Sequence, residues 1–127
     1  MAFDEKLAER VRGVLARRQG VSERKMFGGL AFLREGRMFC GVIGGDLVVR
    51  VGREAWGKAL GRRHVRPMDF TGRPLPGYVY VAPAGVRTAA SLRTWVEQGL
   101  GFSRTLDVSG PGRSSPGAGG RSGSRRR

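Results

Sequence analysis

The chain has no asparagine, one isoleucine, one histidine and one cysteine, and 3 lysines against 21 arginines in 127 residues. Each scarcity excludes something. A lone cysteine cannot close an internal disulfide, so the fold must stand on packing alone, and a reducing, cytoplasmic compartment is expected. One cysteine and one histidine cannot build a structural zinc site, and the carboxylates show no clustered spacing, so neither metal nor cofactor is expected. No run of 18 or more apolar residues occurs, so no membrane-spanning helix is expected. The first residues, with Asp4, Glu5, Lys6 and Glu9, lack the basic start and apolar centre of a signal peptide. Acidic residues are few, 10 against 24 basic, giving a formal net charge of +14. Such a field attracts polyanions by counterion release, although a GC-rich codon bias alone favours arginine and the 22 glycines.

Catalytic groups are equally thin. His64 lies on a helix-to-strand connection beside Arg62, Arg63 and Arg66, which make it a poor general base. Cys40 occupies a strand position and reads as a small buried apolar residue. Gly28-Gly29 and Gly44-Gly45 match neither phosphate-loop spacing and read as turn or bulge residues. The chain therefore reads as a non-enzyme.

What is present is a pattern of short apolar runs. Leu30 to Leu33, Met38 to Ile43 and Leu47 to Val51 are separated by Arg34-Glu35-Gly36-Arg37 and by Gly44-Gly45-Asp46, the signature of an antiparallel meander. Alternation places Leu30 with Phe32, Met38 with Cys40 and Val42, and Leu47 with Val49 and Val51. The opposite positions Ala31, Leu33, Phe39, Ile43 and Val48 are also apolar, which suggests a covered second face and a homodimer. Before the meander, Asp4 to Gln19 reads as a helix with Leu7, Val11, Val14 and Leu15 in one stripe, ended by Gly20, and with Gly13 marking close packing. After it come a short helix over Gly52 to Leu60 and a strand over Val65 to Phe70, which Pro67 confines to an edge or a break. A strand over Tyr78 to Val81 and a helix over Thr88 to Leu106 follow. The fold class is α+β, a two-layer antiparallel five-stranded sheet in the order α-β-β-β-α-β-β-α, over residues 1–106. Residues 107–127 are Gly/Ser/Arg-rich without large apolar side chains beyond Val108, and read as a disordered tail. The body carries 19 basic and 9 acidic residues (+10), the tail 5 and 1 (+4).

The segments Met26-Phe27-Gly28-Gly29 with Phe32, Met38-Phe39-Cys40-Gly41-Val42 and Leu47-Val48-Val49-Arg50-Val51-Gly52 carry a family resemblance. So do Arg66-Pro67-Met68-Asp69-Phe70-Thr71-Gly72-Arg73-Pro74 and the pair Trp95-Val96. Together these resemble the N-terminal domain of the TfoX/Sxy competence-regulator family, standing without that family's C-terminal domain. The resemblance implies a two-layer α+β domain and a non-enzymatic regulatory role alongside transcription machinery.

Three functional readings follow. The first is a protein-interaction module whose contact surface is a sheet edge, with Arg50, Arg66, Met68, Asp69 and Arg73 beside an apolar rim of Met26 and Phe27. In a purely structural role, Asp69 pairs with Arg66 or Arg73, or accepts from turn amides, and Met68 fills core. The second reading is a basic protein that associates with nucleic acid through its arginine-rich surface and Arg113, Arg121, Arg125, Arg126 and Arg127. The third is a ligand pocket between sheet and helices at Tyr78, Tyr80 and Arg50.

Overall fold

In the computed structural model, which describes residues 3–26, 28–69 and 72–108, Asp4 caps helix α1 (Glu5–Leu15). Its carboxylate accepts from the N–H groups of Lys6 and Leu7 at 2.9 and 3.2 Å, satisfying donors that the helix leaves open. Leu7, Ala8, Val11 and Leu15 form the buried stripe. The helix ends at Leu15, short of the expected Gln19. Gly20 belongs instead to the turn that follows, where its carbonyl accepts from the Glu35 N–H.

That turn delivers strand β1 (Val21–Met26), which the apolar pattern does not reveal. Ser22 to Lys25 are polar and exposed, so β1 is held by backbone pairing rather than by a buried face. Strands β2 (Gly29–Arg34), β3 (Arg37–Ile43) and β4 (Asp46–Arg50) complete a four-stranded meander. Then come α2 (Arg53–Leu60), β5 (Val65–Asp69), β6 (Pro74–Val81), a short 3-10 helix (Pro83–Val86) and α3 (Ala89–Val108). The α+β class stands, but the antiparallel sheet has six strands, not five, in the order β1-β2-β3-β4-β6-β5. As Pro67 requires, β5 lies at an edge, and its pairing with β6 shifts between Pro67 and Asp69.

The helices cover one face. Leu30, Phe32, Cys40, Val42, Leu47, Val49, Val51, Val79 and Val81 pack there with Leu7, Val11, Leu15, Leu92, Trp95, Val96 and Leu100. One expected face assignment fails, because β3 carries a bulge. Phe32 pairs with Cys40 and Leu33 with Met38, so Phe39 is an extra residue. Phe39 consequently joins Cys40 in the helix-covered core, and Met38 turns to the other side, where its Cε lies near Gly41.

Two glycines set how closely α3 approaches the sheet. A Cβ at Gly99 would stand 2.5 Å from the Phe39 carbonyl oxygen, and one at Gly52, where φ is +87°, would stand 2.4 Å from Phe102 Cε1. Gly13, by contrast, is exposed with nothing near its missing Cβ, so it marks no close packing. On the sheet's second side Ala31, Leu33, Val48 and Met68 are buried, and the only exposed large hydrophobic among the described residues is Leu75. The expected apolar second face is therefore not an open apolar surface. Among the described residues no helix is long and apolar enough to cross a membrane.

Candidate functional site

On β6, Val79 and Val81 point into the helix-covered core, so the alternation of the strand sends Tyr78 and Tyr80 to the opposite face, where both are half-buried. The flanking strands place an arginine opposite each ring. Arg50 on β4 pairs in register with Tyr78, and Arg66 on β5 with Tyr80. Arg50 Cζ stands 5.5 Å from the Tyr78 ring centre and 5.3 Å from that of Phe102 on α3. Arg66 Cζ stands 4.6 Å from the centre of Tyr80, and its Nη2 donates to Asp46 Oδ2 at 2.6 Å. Each contact of this kind contributes about 0.5–1 kcal/mol at exposed sites. Their combined effect is to hold long side chains in fixed poses across three strands, forming a pre-ordered Arg/Tyr ladder.

This ladder regroups the residues expected from sequence. Arg50 and Arg66 share it. Met26 does not, because it ends β1, the far edge of the sheet. Five interstrand steps separate β1 from β5, about 24 Å at the usual spacing, so Met26 cannot form one rim with Arg66, Asp69 and Arg73. Phe27 lies outside the described residues. Met68 is 1% exposed and unavailable for contact. Asp69 Oδ1 accepts from the Gly72 N–H at 2.8 Å and shapes the turn into β6, while Arg73 is exposed in that turn. Arg66 takes Asp46, not Asp69, as its carboxylate partner. Tyr78 and Tyr80 lie across the sheet from the helix-covered core, and the gap where Arg50 meets α3 is occupied by the Phe102 ring, so the three do not line a pocket between sheet and helices. Arg113, Arg121, Arg125, Arg126 and Arg127, with the rest of the tail from residue 109, lie outside the described residues.

The remaining reactive side chains are placed as follows. Cys40 is fully buried, and loss of solvent pushes its thiol far above the usual cysteine range, leaving it protonated and inert. His64 is exposed with φ at +66°, its carbonyl accepting from the Ala82 N–H at 2.8 Å. It helps line an open cavity of about 600 Å³ between Gly61–His64 and Ala84–Ser91. Among its lining residues, Arg62 Cζ stacks 3.8 Å from the ring centre of Trp95, which is itself buried. Tyr78 and Tyr80 could be assigned to one face from their alternation with valine. Asp46 and the cavity could not, because residues from separate segments meet there only after folding. Among the described residues, no group of three His, Cys, Asp or Glu side chains could hold a metal ion.

No curated protein matches the chain. The sequence model of the TfoX N-terminal domain matches residues 14–103, from the last turn of α1 well into α3, and the chain belongs to that family.

Proposed function

We propose that the protein is a non-enzymatic regulatory module, linked to transcriptional regulation, that works by holding a protein partner on the face of its sheet opposite the helix-covered core. Family membership supports a competence-regulator-like role. The observation that carries the surface assignment is the ladder of Arg50 with Tyr78 and Arg66 with Tyr80. Arginine and tyrosine dominate the energetics of protein interfaces because they offer large contact area and several donors. Here stacking has already restricted their rotamers, which lowers the entropy lost on binding. The buried state of Cys40 supports the non-enzymatic part, since the one thiol is kept from solvent as well as protonated.

The test uses the full chain and an Arg50→Ala/Arg66→Ala variant as baits in nuclease-treated native lysate, with Arg93→Ala on the helix side as a control. Recovered proteins are quantified by mass spectrometry. The reading predicts a partner retained by the parent and by Arg93→Ala and reduced at least tenfold by the double variant, whose thermal melting stays close to the parent's. Identical recovery from all three baits, or a loss that tracks unfolding, would contradict it.

A further inference from the structure

The cavity beside His64 has a chemistry that the sheet face does not account for. Three of its lining side chains are guanidinium groups, Arg62, Arg63 and Arg87, and none of its lining residues is acidic. Elsewhere several arginines have carboxylate partners. Arg12 pairs with Glu9 and Glu23, Arg18 with Glu97, and Arg66 with Asp46. Within the cavity only Arg62 has partners, the Trp95 ring and the Gln98 Oε1 at 3.4 Å, and these hold it in place without neutralising it. Arg63 and Arg87 make no side-chain hydrogen bond or ion pair with the described residues. A fourth cation stands behind them. Arg10 donates to the carbonyls of Val86, Arg87 and Thr88 at 2.7, 3.3 and 3.4 Å, fixing the corner between the 3-10 helix and α3.

The hydroxyls are already satisfied. Thr88 and Ser91 bond to each other at 3.0 Å, Thr88 Oγ1 accepts from the Ser91 N–H, and Ser91 Oγ reaches the Thr88 carbonyl. Besides the exposed ring of His64, the free side-chain donors are therefore the guanidinium forks. Like charges gathered without a carboxylate repel, and a ligand of at least two negative charges relieves that repulsion. Planar forks match the oxygen spacing of phosphate better than a point cation does. The volume of about 600 Å³ exceeds a bare phosphate and leaves room for what the phosphate is attached to.

We propose that this cavity is a phosphate-binding site that takes the phosphoryl group of a small phosphate ester or of a nucleic-acid backbone, with Arg63 and Arg87 as its ligating forks and Arg62 as the pre-positioned third. It is independent of the sheet-face reading, and each can fail without the other. The test titrates the isotope-labelled full chain with pyrophosphate at constant ionic strength and follows amide signals together with the Trp95 indole. The expected result is saturable shifts confined to residues 61–64, 84–91 and Trp95, with affinity reduced at least tenfold in Arg63→Ser/Arg87→Ser. Arg63→Lys/Arg87→Lys, which keeps the charge and removes the forks, should fall between the two. A parallel titration with a single-stranded oligonucleotide separates the sources. Displacement of pyrophosphate, with the same tenfold loss in the serine variant, points to a backbone phosphate. Oligonucleotide binding unaffected by that variant, while pyrophosphate binding weakens, points to a small ester. Pyrophosphate shifts that are absent, spread over the surface, or undiminished in the serine variant would overturn the site, because the arginine tail is intact in every variant.

Discussion

Gly13 and Gly99 both sit inside helices, yet they should respond to alanine with opposite signs. Gly13 is exposed with open space where its Cβ would stand, so Gly13→Ala gains helix propensity and should stabilise the protein by about 0.5–1 kcal/mol. At Gly99 the added carbon would meet the Phe39 carbonyl at 2.5 Å and Val49 Cγ1 at 3.3 Å, so Gly99→Ala should cost about 1–3 kcal/mol. Urea denaturation of both variants checks this; shifts of the same sign would contradict the packing described here. A helical repeat alone cannot distinguish these two positions, because what separates them is the sheet lying against only one of them. Cys40 gives a second residue-scale prediction. Its thiol is protonated and enclosed, so native protein should react with a thiol reagent no faster than it unfolds. Stoichiometric labelling within minutes under native conditions would contradict its burial. The sequence reading of Cys40 as a buried apolar residue needed only the hydrophobic run around it.

At the scale of elements, β1 is the strand whose attachment depends most on a polar contact. Arg12 on α1 reaches down to Glu23 with Nε and Nη2 at 2.7 and 2.9 Å, and also holds Glu9 at 2.7 Å. The bond from Arg12 lowers the Glu23 carboxyl below its ordinary range, and the bond to Glu23 raises the Arg12 guanidinium. A depressed carboxyl pKa stabilises the fold above the unfolded value, about 4.3, and that contribution is lost as pH falls through the lower folded value. Both side chains are a third or more exposed, so the effect on global stability should stay under about 1 kcal/mol. Hydrogen exchange resolved by strand should show β1 losing protection ahead of β3 and β4 below about pH 4. In Glu23→Gln that pH dependence should disappear; uniform loss across the sheet would contradict the local role.

The same scale shows what the sequence could disclose. Pro67 announces an edge or a break, and the apolar runs of β4 and β6 announce strands without placing them in the sheet. The run Val-Ser-Glu-Arg-Lys-Met announced nothing, since an edge strand held by backbone pairing has no apolar period to display. The bulge at Phe39 was hidden for a related reason, because adding one residue reverses the alternation without altering composition.

For the whole molecule, opposite edges and opposite faces decide which residues can act together. Arg50 and Arg66 were legible as candidates, and the sheet brings them onto one ladder. A meander without β1 puts Met26 beside them, and the sixth strand moves it to the far edge. The apolar second face has Ala31, Leu33, Val48 and Met68 buried, with half-buried or exposed Tyr and Arg around them. The net charge of +14 marked the chain as basic, but only the fold shows three arginines gathered in one cavity without a carboxylate.

The central claim, that a protein partner sits on the sheet face opposite the helix-covered core, is tested most directly by where a photo-crosslinker captures it. One full-length protein carries the crosslinking residue at Tyr80, on the ladder, and another carries it at Arg17, exposed at the end of α1. Irradiation in native lysate should give a discrete protein adduct from position 80 and none from position 17. An adduct from position 17 alone, or the same adduct from both, would contradict the assignment.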